Sequence, residues 1–378
     1  MLFKPFLTHI KMTEKQYGGA SSYRVKENPH LQSNKENSGN WDAFNPESPM
    51  DISERSDLIN RNIHKERIKE KEIKKEKNQT EKLEGNTKDN NLYIKAGEIA
   101  KKVKIYASSI IKPGMPLLEI AEKIESKIIE LGGFPAFPVN LSKNEIAAHA
   151  TPSYNDTETA SGLLKVDIGV HIDGCIADTA LSLDLENSEE NKKLIECAEL
   201  CLKNALNTTY HNVELKKIGE AIEKTSHSHN LQPIINLSGH SITKYNLHAG
   251  VTIPNYNNSS LQQLEEGVYA IEPFVTLGLG KVIDGKPSGI YMLEKKGTVR
   301  DSFAREILYY IEKTYQTLPF CSRWLVKKFE TRALTAMKRI EEANLVHHYQ
   351  QLIESSRKKV AQAEHTIIIT EKDKIITT

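Results

Sequence analysis

The spacing of apolar residues divides the chain into helical and strand-like segments from about residue 90 onward. Apolar residues recur every three or four positions in five segments, which predicts a helix in each. These segments are 92–111, 116–133, 188–207, 214–228 and 301–348. Continuous apolar runs predict strands over 166–180, 267–278 and 361–370. We expect the last of these strands to form a hairpin with the KIITT end of the sequence.

The second and fourth predicted helices are related by an offset of 98 residues. Six residues recur at this offset: Leu117, Ile120, Glu122, Ile124, Glu125 and Pro135 match Leu215, Ile218, Glu220, Ile222, Glu223 and Pro233. Two amphipathic helices can agree in this way through patterning alone. If the repeat is real, it predicts two similar halves with a site between them.

The first 88 residues follow neither spacing, and we predict a disordered, charged N-terminal extension there. Between 65 and 82 the chain has eight Lys or Arg and five Glu. One interpretation is an electrostatic arm that binds ribosomal RNA or another acidic partner. The other is a solvated tail, or a gene start placed too early, with the initiator at Met12 or Met50. Both interpretations stay open.

Composition narrows the class of protein but not its function. With 51 basic and 50 acidic residues among 378, the net charge is +1, which predicts no general nucleic-acid surface. No apolar run approaches the length of a membrane span. The four cysteines form no CxxC pair, so we expect buried free thiols in a protein of the reducing cytoplasm.

The stretch VDIGVHIDGCIADTA, residues 166–180, is an apolar hairpin that carries two acidic residues. If Asp173-Gly174 form a two-residue turn, Gly169 lies opposite Asp178, and Asp167 and Asp178 point to the same face. Two buried carboxylates side by side repel each other and lose hydration. A shared proton, basic side chains or a metal ion would compensate, unless this face is open to water.

Three later segments place further ionisable groups in apolar surroundings. NLSGHSITKYNLHAG contains His240 and His248, GVYAIEPFVTLG contains Glu272, and AQAEHTIIIT contains Glu364. Each alone has an ordinary explanation as a paired or solvated side chain. Together with the two aspartates they supply enough carboxylate oxygen and imidazole nitrogen to hold two divalent ions. This donor set favours Mn²⁺, Fe²⁺ or Co²⁺, and is compatible with Zn²⁺.

In their order along the chain, these residues resemble those of the pita-bread metallopeptidases, most closely the archaeal-like type 2 methionine aminopeptidases. The resemblance covers about 90–378. It rests on KAGEIAKKV, PAFPVNLSKNEIAAHATP, KVDIGVHIDGCIADTA, NLSGH with LHAG, AIEPF, YQTLPFCSRWL and EHTIII. It implies an α+β pita-bread (creatinase/aminopeptidase) fold over 89–378, with two pseudo-symmetric halves around a curved antiparallel sheet. It also implies a helical insert, at 297–355, before the last glutamate.

The resemblance also implies a role for each candidate residue. The ligands of the two metal ions are Asp167, Asp178, His240, Glu272 and Glu364. Asp178 and Glu364 match the bridging ligands, and Glu364 is a candidate proton shuttle. His149 and His248 match catalytic histidines that contact substrate, and Phe137 matches a wall of the methionine pocket. Ala150 and Ala363 depart from the family, which usually has Tyr and Phe there.

The implied activity is removal of the N-terminal methionine from nascent proteins whose second residue is small. Nascent chain ends are then the partners, ribosome association is open, and we expect a monomer. Two alternatives remain: a dinuclear peptidase like prolidase or aminopeptidase P, and a non-catalytic pita-bread binding protein. The first predicts cleavage of X-Pro peptides, and the second predicts no bound metal.

Overall fold

The computed structural model describes residues 89–378, and the statements on structure that follow concern this part of the chain. The predicted extension over 1–88 lies outside the described residues. Helix α1 covers 89–110. The other helices are α2 (Leu117–Glu130), α3 (Glu189–Thr208), α4 (Leu215–Ser228), α5 (Ser302–Thr314), α6 (Ser322–Phe329) and α7 (Arg332–Glu342).

The strands of the first part are short, except for the hairpin. They are β1 (Phe134–Pro135), β2 (Asn140–Lys143), β3 (Ile146–Ala148), β4 (Leu163–Ile172), β5 (Cys175–Asp184), β6 (Gln232–Pro233), β7 (Ser238–Ile242) and β8 (Thr252–Pro254). The later strands are β9 (Gly267–Ile271), β10 (Phe274–Thr276), β11 (Val282–Leu293), β12 (Phe320–Cys321), β13 (Val346–Glu354), β14 (Val360–Gln362), β15 (His365–Ile369) and β16 (Lys374–Ile376).

The first four predicted helices are confirmed to within a few residues. The third begins as its sequence suggests, because the Ser188 side chain accepts a hydrogen bond from the Asn191 backbone N–H and caps the helix. The predicted hairpin at the end of the chain is also confirmed, since β15 pairs antiparallel with β16. Within 89–378, no helix has the length and apolar content needed to span a membrane.

The prediction of helix over 301–348 is wrong at its end. Helices α5, α6 and α7 occupy most of it, but 346–348 begin strand β13. This strand pairs antiparallel with β11, from Leu293↔Val346 to Val282↔Glu354. The long pairing partner lies more than fifty positions earlier, so tertiary pairing overrides the local pattern.

The repeat seen in the sequence is present in the structure. Helices α2 and α4 begin 98 residues apart, at Leu117 and Leu215, and strands β1 and β6 keep the same offset. So do β2 and β7, which begin at Asn140 and Ser238. In the first half β2 pairs with β4, and β4 with β5. In the second half β7 pairs with β9, and β9 with β15, all antiparallel.

Each half has its own apolar core between helices and strands. In the first, Ile120 and Ile124 of α2 pack with Val166 and Ile168 of β4. In the second, α3 and α4 cover β9 and β15. A third apolar cluster joins α5, α6 and α7 with β11 and β12. All four cysteines are buried free thiols, as predicted.

Candidate metal centre

The β4–β5 hairpin has the register that its sequence predicts. Asp173 and Gly174 form the turn, and both have positive φ, at 49° and 83°. This conformation matches the twist of the flanking strands. Asp167 pairs with Ala180, and Gly169 pairs with Asp178. The two aspartates are therefore diagonal neighbours on one face of the hairpin, which confirms the prediction.

The second half brings three more ligand-type side chains to this face. His240 lies in β7, whereas each glutamate lies in a two-residue break between strands. Glu272 and Pro273 separate β9 from β10, and Ala363 and Glu364 separate β14 from β15. The expected continuous strands over 267–278 and 361–370 are thus both wrong at these points. The proline has no N–H for the strand ladder, which explains a break there.

The breaks meet each other and the hairpin. The Ala363 N–H donates to the Pro273 carbonyl at 3.3 Å, and the Glu364 N–H donates across to Ala180 of β5 at 3.2 Å. Thr366 makes a second link between the halves. Its Oγ1 accepts from the Asp178 N–H at 2.7 Å and donates to the Asp178 carbonyl at 2.8 Å. The backbones that carry Asp178 and Glu364 are therefore held together directly.

The five candidate ligands converge. One ligand atom from each of Asp178, His240 and Glu364 lies within 4.8 Å of the other two. His240 Nε2 is 3.5 Å from Glu272 Oε1 and 3.8 Å from Asp178 Oδ2. Asp167 interacts directly with Asp178. Glu364 and His240 therefore lie beside the acids of the hairpin, which the sequence argument required.

The carboxylates are electrostatically strained. Burial raises the pKa of Asp167 to about 7. Burial, followed by repulsion from the neighbouring carboxylates, raises the pKa of Asp178 and of Glu364 well above the usual range. The pKa of Glu272 is raised for the same two reasons. Burial lowers the pKa of His240 to about 3, so the imidazole is neutral and adds no positive charge.

Among the described residues, no cation pairs directly with these carboxylates, and Lys104 only lowers the pKa of Glu364 from a distance. Across 89–378, no lysine or arginine forms an ion pair with any of the four carboxylates. The only basic group that lies within 4.0 Å of any of them is the neutral imidazole of His240. Three buried oxygens, Asp167 Oδ1, Asp178 Oδ1 and Glu364 Oε1, have no hydrogen-bond partner. Because buried polar atoms are normally paired, these orphan oxygens fit ligation of divalent ions.

A cavity of about 320 Å³ opens over the centre. Its lining includes Asp167, Asp178, His240 and Glu272, together with Phe137, His149 and His248. The Phe137 ring packs on Gly169, and a Cβ there would overlap the ring. This close approach explains a glycine opposite Asp178. All three residues for which substrate contact was expected therefore line the cavity beside the ligands.

His149 is held in one orientation. Its backbone has a φ of 58°, and its Nδ1 lies 3.2 Å from the Gln350 carbonyl. A carbonyl oxygen can only accept, so Nδ1 carries the proton and Nε2 is left as an acceptor. Burial lowers the pKa of His149 to about 4. The His248 ring stacks edge-on against His240, with ring centroids 4.4 Å apart.

Some residues at the site were not found from the sequence. The Gln362 side-chain amide lies 3.5 Å from carboxylate oxygens of both Glu272 and Glu364. Its position two residues before Glu364 was the available signal, because alternate strand residues share a face. Tyr349 also lines the cavity and packs edge-on against His149. It lies in β13, of which only 346–348 fell within a prediction, so no signal pointed to it.

The two departures from the family lie away from the cavity. Ala150 and Ala363 are both buried, at 6% and 5% exposure. Ala150 lines a separate cavity, together with Thr151 and His348. Ala363 lines a groove beside Lys104 and Leu202. Neither alanine therefore lines the cavity above the centre, although the groove at Ala363 is also lined by Glu364.

Comparison with known proteins agrees with this geometry. The model of metallopeptidase family M24 matches residues 91–371. The chain belongs to metallopeptidase family M24. Family M24 membership, a mixed helix and antiparallel sheet architecture and two repeated halves confirm the expected pita-bread fold.

Similar proteins from archaea are named methionine aminopeptidase. The one from Pyrococcus abyssi (strain GE5 / Orsay) is 48% identical over 290 residues, which are 75% of this chain and 97% of that protein. The one from Methanothermobacter thermautotrophicus is 42% identical over 284 residues, 74% of this chain and 95% of that protein. Nearly the whole length of these M24 relatives is therefore matched by this chain.

Solved structures share the fold at lower identity. The structure of a thermophilic Arx1 has a TM-score of 0.67 at 17% identity and covers 76% of this chain and 90% of its own. Methionine aminopeptidase from Thermotoga maritima has a TM-score of 0.55 at 20% identity and covers 75% of this chain and 94% of its own. At these identities the likeness describes the M24 fold alone.

Proposed function

We propose that this chain is a methionyl aminopeptidase that uses divalent metal ions to remove N-terminal methionine from proteins whose second residue is small. The observation that carries the proposal is the convergence of Asp167, Asp178, His240, Glu272 and Glu364, of which all but Glu364 line one cavity. The archaeal relatives are named methionine aminopeptidase and are 42% to 48% identical to this chain over nearly their whole length. This similarity supports methionine, rather than X-Pro, substrates for this chain.

The metal centre supplies one part of the chemistry. These five residues would hold two divalent ions, which would supply Lewis-acid polarisation of a carbonyl and activation of water near neutral pH. The ions are Mn²⁺, Fe²⁺, Co²⁺ or Zn²⁺, because carboxylate oxygens with one imidazole suit these metals. Asp178 and Glu364 would hold metal side by side, since their backbones are fixed to each other through Thr366 and Ala180.

The residues of the cavity supply the other part. Neutral His149 presents Nε2 as an acceptor and hydrogen-bonds the substrate amide N–H, while its Nδ1–H stays on Gln350. His248 lies between β7 and β8 and lines the same cavity, where it would contact the substrate. Glu364 is the proposed proton shuttle: it would accept the proton released when water attacks the carbonyl and pass it to the leaving amine.

Phe137 forms the wall that receives the methionine side chain. Phe137 is 5% exposed, its ring lies on Gly169, and it lines the cavity together with the two aspartates. An apolar wall next to a metal centre favours an unbranched, polarisable side chain such as that of methionine. Selection of small second residues is part of the proposal and requires a narrow exit beyond this wall.

We also propose the type 2 class, with a helical insert at 297–355. Its support is the 91 residues between Glu272 and Glu364, which contain α5, α6 and α7 around their own apolar cluster. A cytoplasmic monomer that acts on nascent chains, with or without ribosome contact, completes the proposal. Size-exclusion with light scattering and co-sedimentation with ribosomes test these two properties separately.

The activity is tested by stripping metal from the purified protein and adding back Mn²⁺, Co²⁺, Fe²⁺ or Zn²⁺. We expect release of methionine from Met-Ala-Ser only after metal is restored, and no cleavage of an X-Pro peptide. Asp178→Asn serves as the inactive control. Cleavage of the X-Pro peptide in preference to Met-Ala-Ser would replace the proposal with the prolidase alternative. Absence of metal binding would favour a non-catalytic protein.

A further inference from the structure

A buried ion pair joins helix α6 to helix α2 beside the cavity. Arg323 Nη1 and Nη2 each lie 2.7 Å from one carboxylate oxygen of Glu125, in a bidentate arrangement. The Trp324 Nε1–H donates to the same carboxylate at 2.9 Å. The side chains are only 3% and 9% exposed. None of the proposed metal ligands contacts either member of the pair.

Both members of the pair also form hydrogen bonds with the backbone of segments that line the cavity. Arg323 Nε donates to the Pro152 carbonyl at 3.1 Å, just after His149. Glu125 Oε1 accepts from the Val139 N–H at 3.3 Å, between Phe137 and Asn140. Thr151 connects these two segments, because its Oγ1 donates to the Val139 carbonyl at 2.9 Å.

A third wall of the cavity is close to Arg323 in sequence. Pro319 lines the cavity, and β12 follows it directly. Cys321 of β12 pairs with Ile290 of β11, which also lines the cavity. Helix α6 begins at the next residue, so Arg323 lies only four positions after Pro319.

Stability alone does not account for such a pair. Burying two charges costs desolvation free energy that their attraction rarely exceeds, and well-packed apolar replacements are often neutral or stabilising. A bidentate guanidinium, however, fixes direction as well as distance, because its donors form a rigid fork. The geometry therefore matches a device that fixes relative positions.

We infer that the Glu125–Arg323 pair is a positioning element for substrate, holding the Phe137, His149 and Pro319 segments in register around the cavity. The inference rests on the proposed peptidase activity and deepens it. Its consequence is a division of labour. The metal ligands bind the ions without help from the pair, and the pair sets how well the peptide is held.

The test is a double variant, Glu125→Leu with Arg323→Met, which replaces the pair by apolar groups and leaves no unpaired charge. Metal content, thermal unfolding, and kcat and KM for Met-Ala-Ser are measured. We expect two metal ions per chain, a folded protein, and a KM raised about tenfold or more with kcat changed less than about threefold. Arg323→Lys, which keeps the charge but lacks the fork, is expected to raise KM in the same direction.

A control variant, Arg339→Met, removes an exposed ion pair with Asp301, and we expect its KM to equal that of the wild type. Wild-type KM in the double variant would overturn the inference, and so would a loss of bound metal in parallel with activity. If the double variant does not fold, Arg323→Lys decides by the same criteria. Failure of the wild type itself to cleave Met-Ala-Ser would instead contradict the proposed function.

Discussion

Asp178 is a buried carboxylate with other carboxylates around it. It is 4% exposed. Burial raises its pKa most, and repulsion from the carboxylates of Asp167 and Glu272 raises it further. Such a group is costly in the ionised state unless a cation compensates it. The described residues provide no cation next to it, so its place in the fold is best explained by ligand function.

Changing Asp178 to Asn, or Glu364 to Gln, is expected to abolish both turnover and metal binding while the protein stays folded. An amide is a weak ligand for these ions, and the change also removes a buried charge that repels its neighbours. Metal analysis and circular dichroism of each variant check the two parts. Cleavage of Met-Ala peptides at the wild-type rate by either variant would contradict the dinuclear site.

Metal affinity is expected to fall as pH falls through about 7. Burial raises the pKa of Asp167 to about 7, so below that pH its carboxylate holds a proton that an incoming ion must displace. His240 does not add to this effect, since burial lowers its pKa to about 3 and it is already neutral. Mn²⁺ titration calorimetry at about pH 6 and about pH 8, in buffers of different ionisation enthalpy, measures affinity and proton release. Equal affinities with no proton release would contradict the assignment.

Among the secondary-structure elements, two breaks between strands position the glutamates of the candidate metal centre. Glu272 and Glu364 occupy paired interruptions between β9 and β10 and between β14 and β15. A side chain within a regular strand alternates between the two faces, whereas a break allows both glutamates to turn toward the hairpin. Thr366, just after the second break, holds the Asp178 backbone with two hydrogen bonds.

Thr366→Val is expected to weaken metal binding as well as the fold. It leaves the buried Asp178 N–H and carbonyl without that partner, at a cost of about 1–3 kcal/mol in the free energy of unfolding. It also frees Asp178 to move relative to Glu364. Chemical denaturation and Mn²⁺ calorimetry measure the two effects.

Thr276→Val is the matched control for this change. Thr276 is equally buried, and its Oγ1 also makes two backbone hydrogen bonds, to Lys359 and Gly278. The control is expected to lose similar stability with unchanged Mn²⁺ affinity. If both variants lost metal affinity to the same extent, Thr366 would have no special role at the metal centre.

Gly169→Ala tests the packing of the hairpin on the pocket wall. The added Cβ overlaps the Phe137 ring, which must shift and so changes the wall of the cavity. We expect a higher KM for Met-Ala-Ser with two metal ions still bound. Steady-state kinetics and metal analysis check this, and an unchanged KM would remove Phe137 from the methionine pocket.

For the whole molecule, sequence reasoning succeeded where local chemistry decides the structure. The Asp-Gly turn sets the hairpin register, and the 98-residue offset appears in three pairs of elements. It failed where distant pairing decides. Strand β13 forms because it pairs with β11. Glu125 contacts Arg323, 198 positions later, and no local sequence pattern predicts this contact. The candidate ligands stood out because each is an ionisable group in an apolar segment, and the resemblance to the pita-bread metallopeptidases supplied their roles.

A crystal structure of the full chain with Mn²⁺, with anomalous diffraction recorded for manganese, tests the central claim most directly. The account predicts two anomalous peaks in the cavity, within ligand distance of Asp167, Asp178, His240, Glu272 and Glu364. Both Asp178 and Glu364 are expected to contact both ions. No peak at this position, or ions bound only elsewhere on the chain, would contradict it.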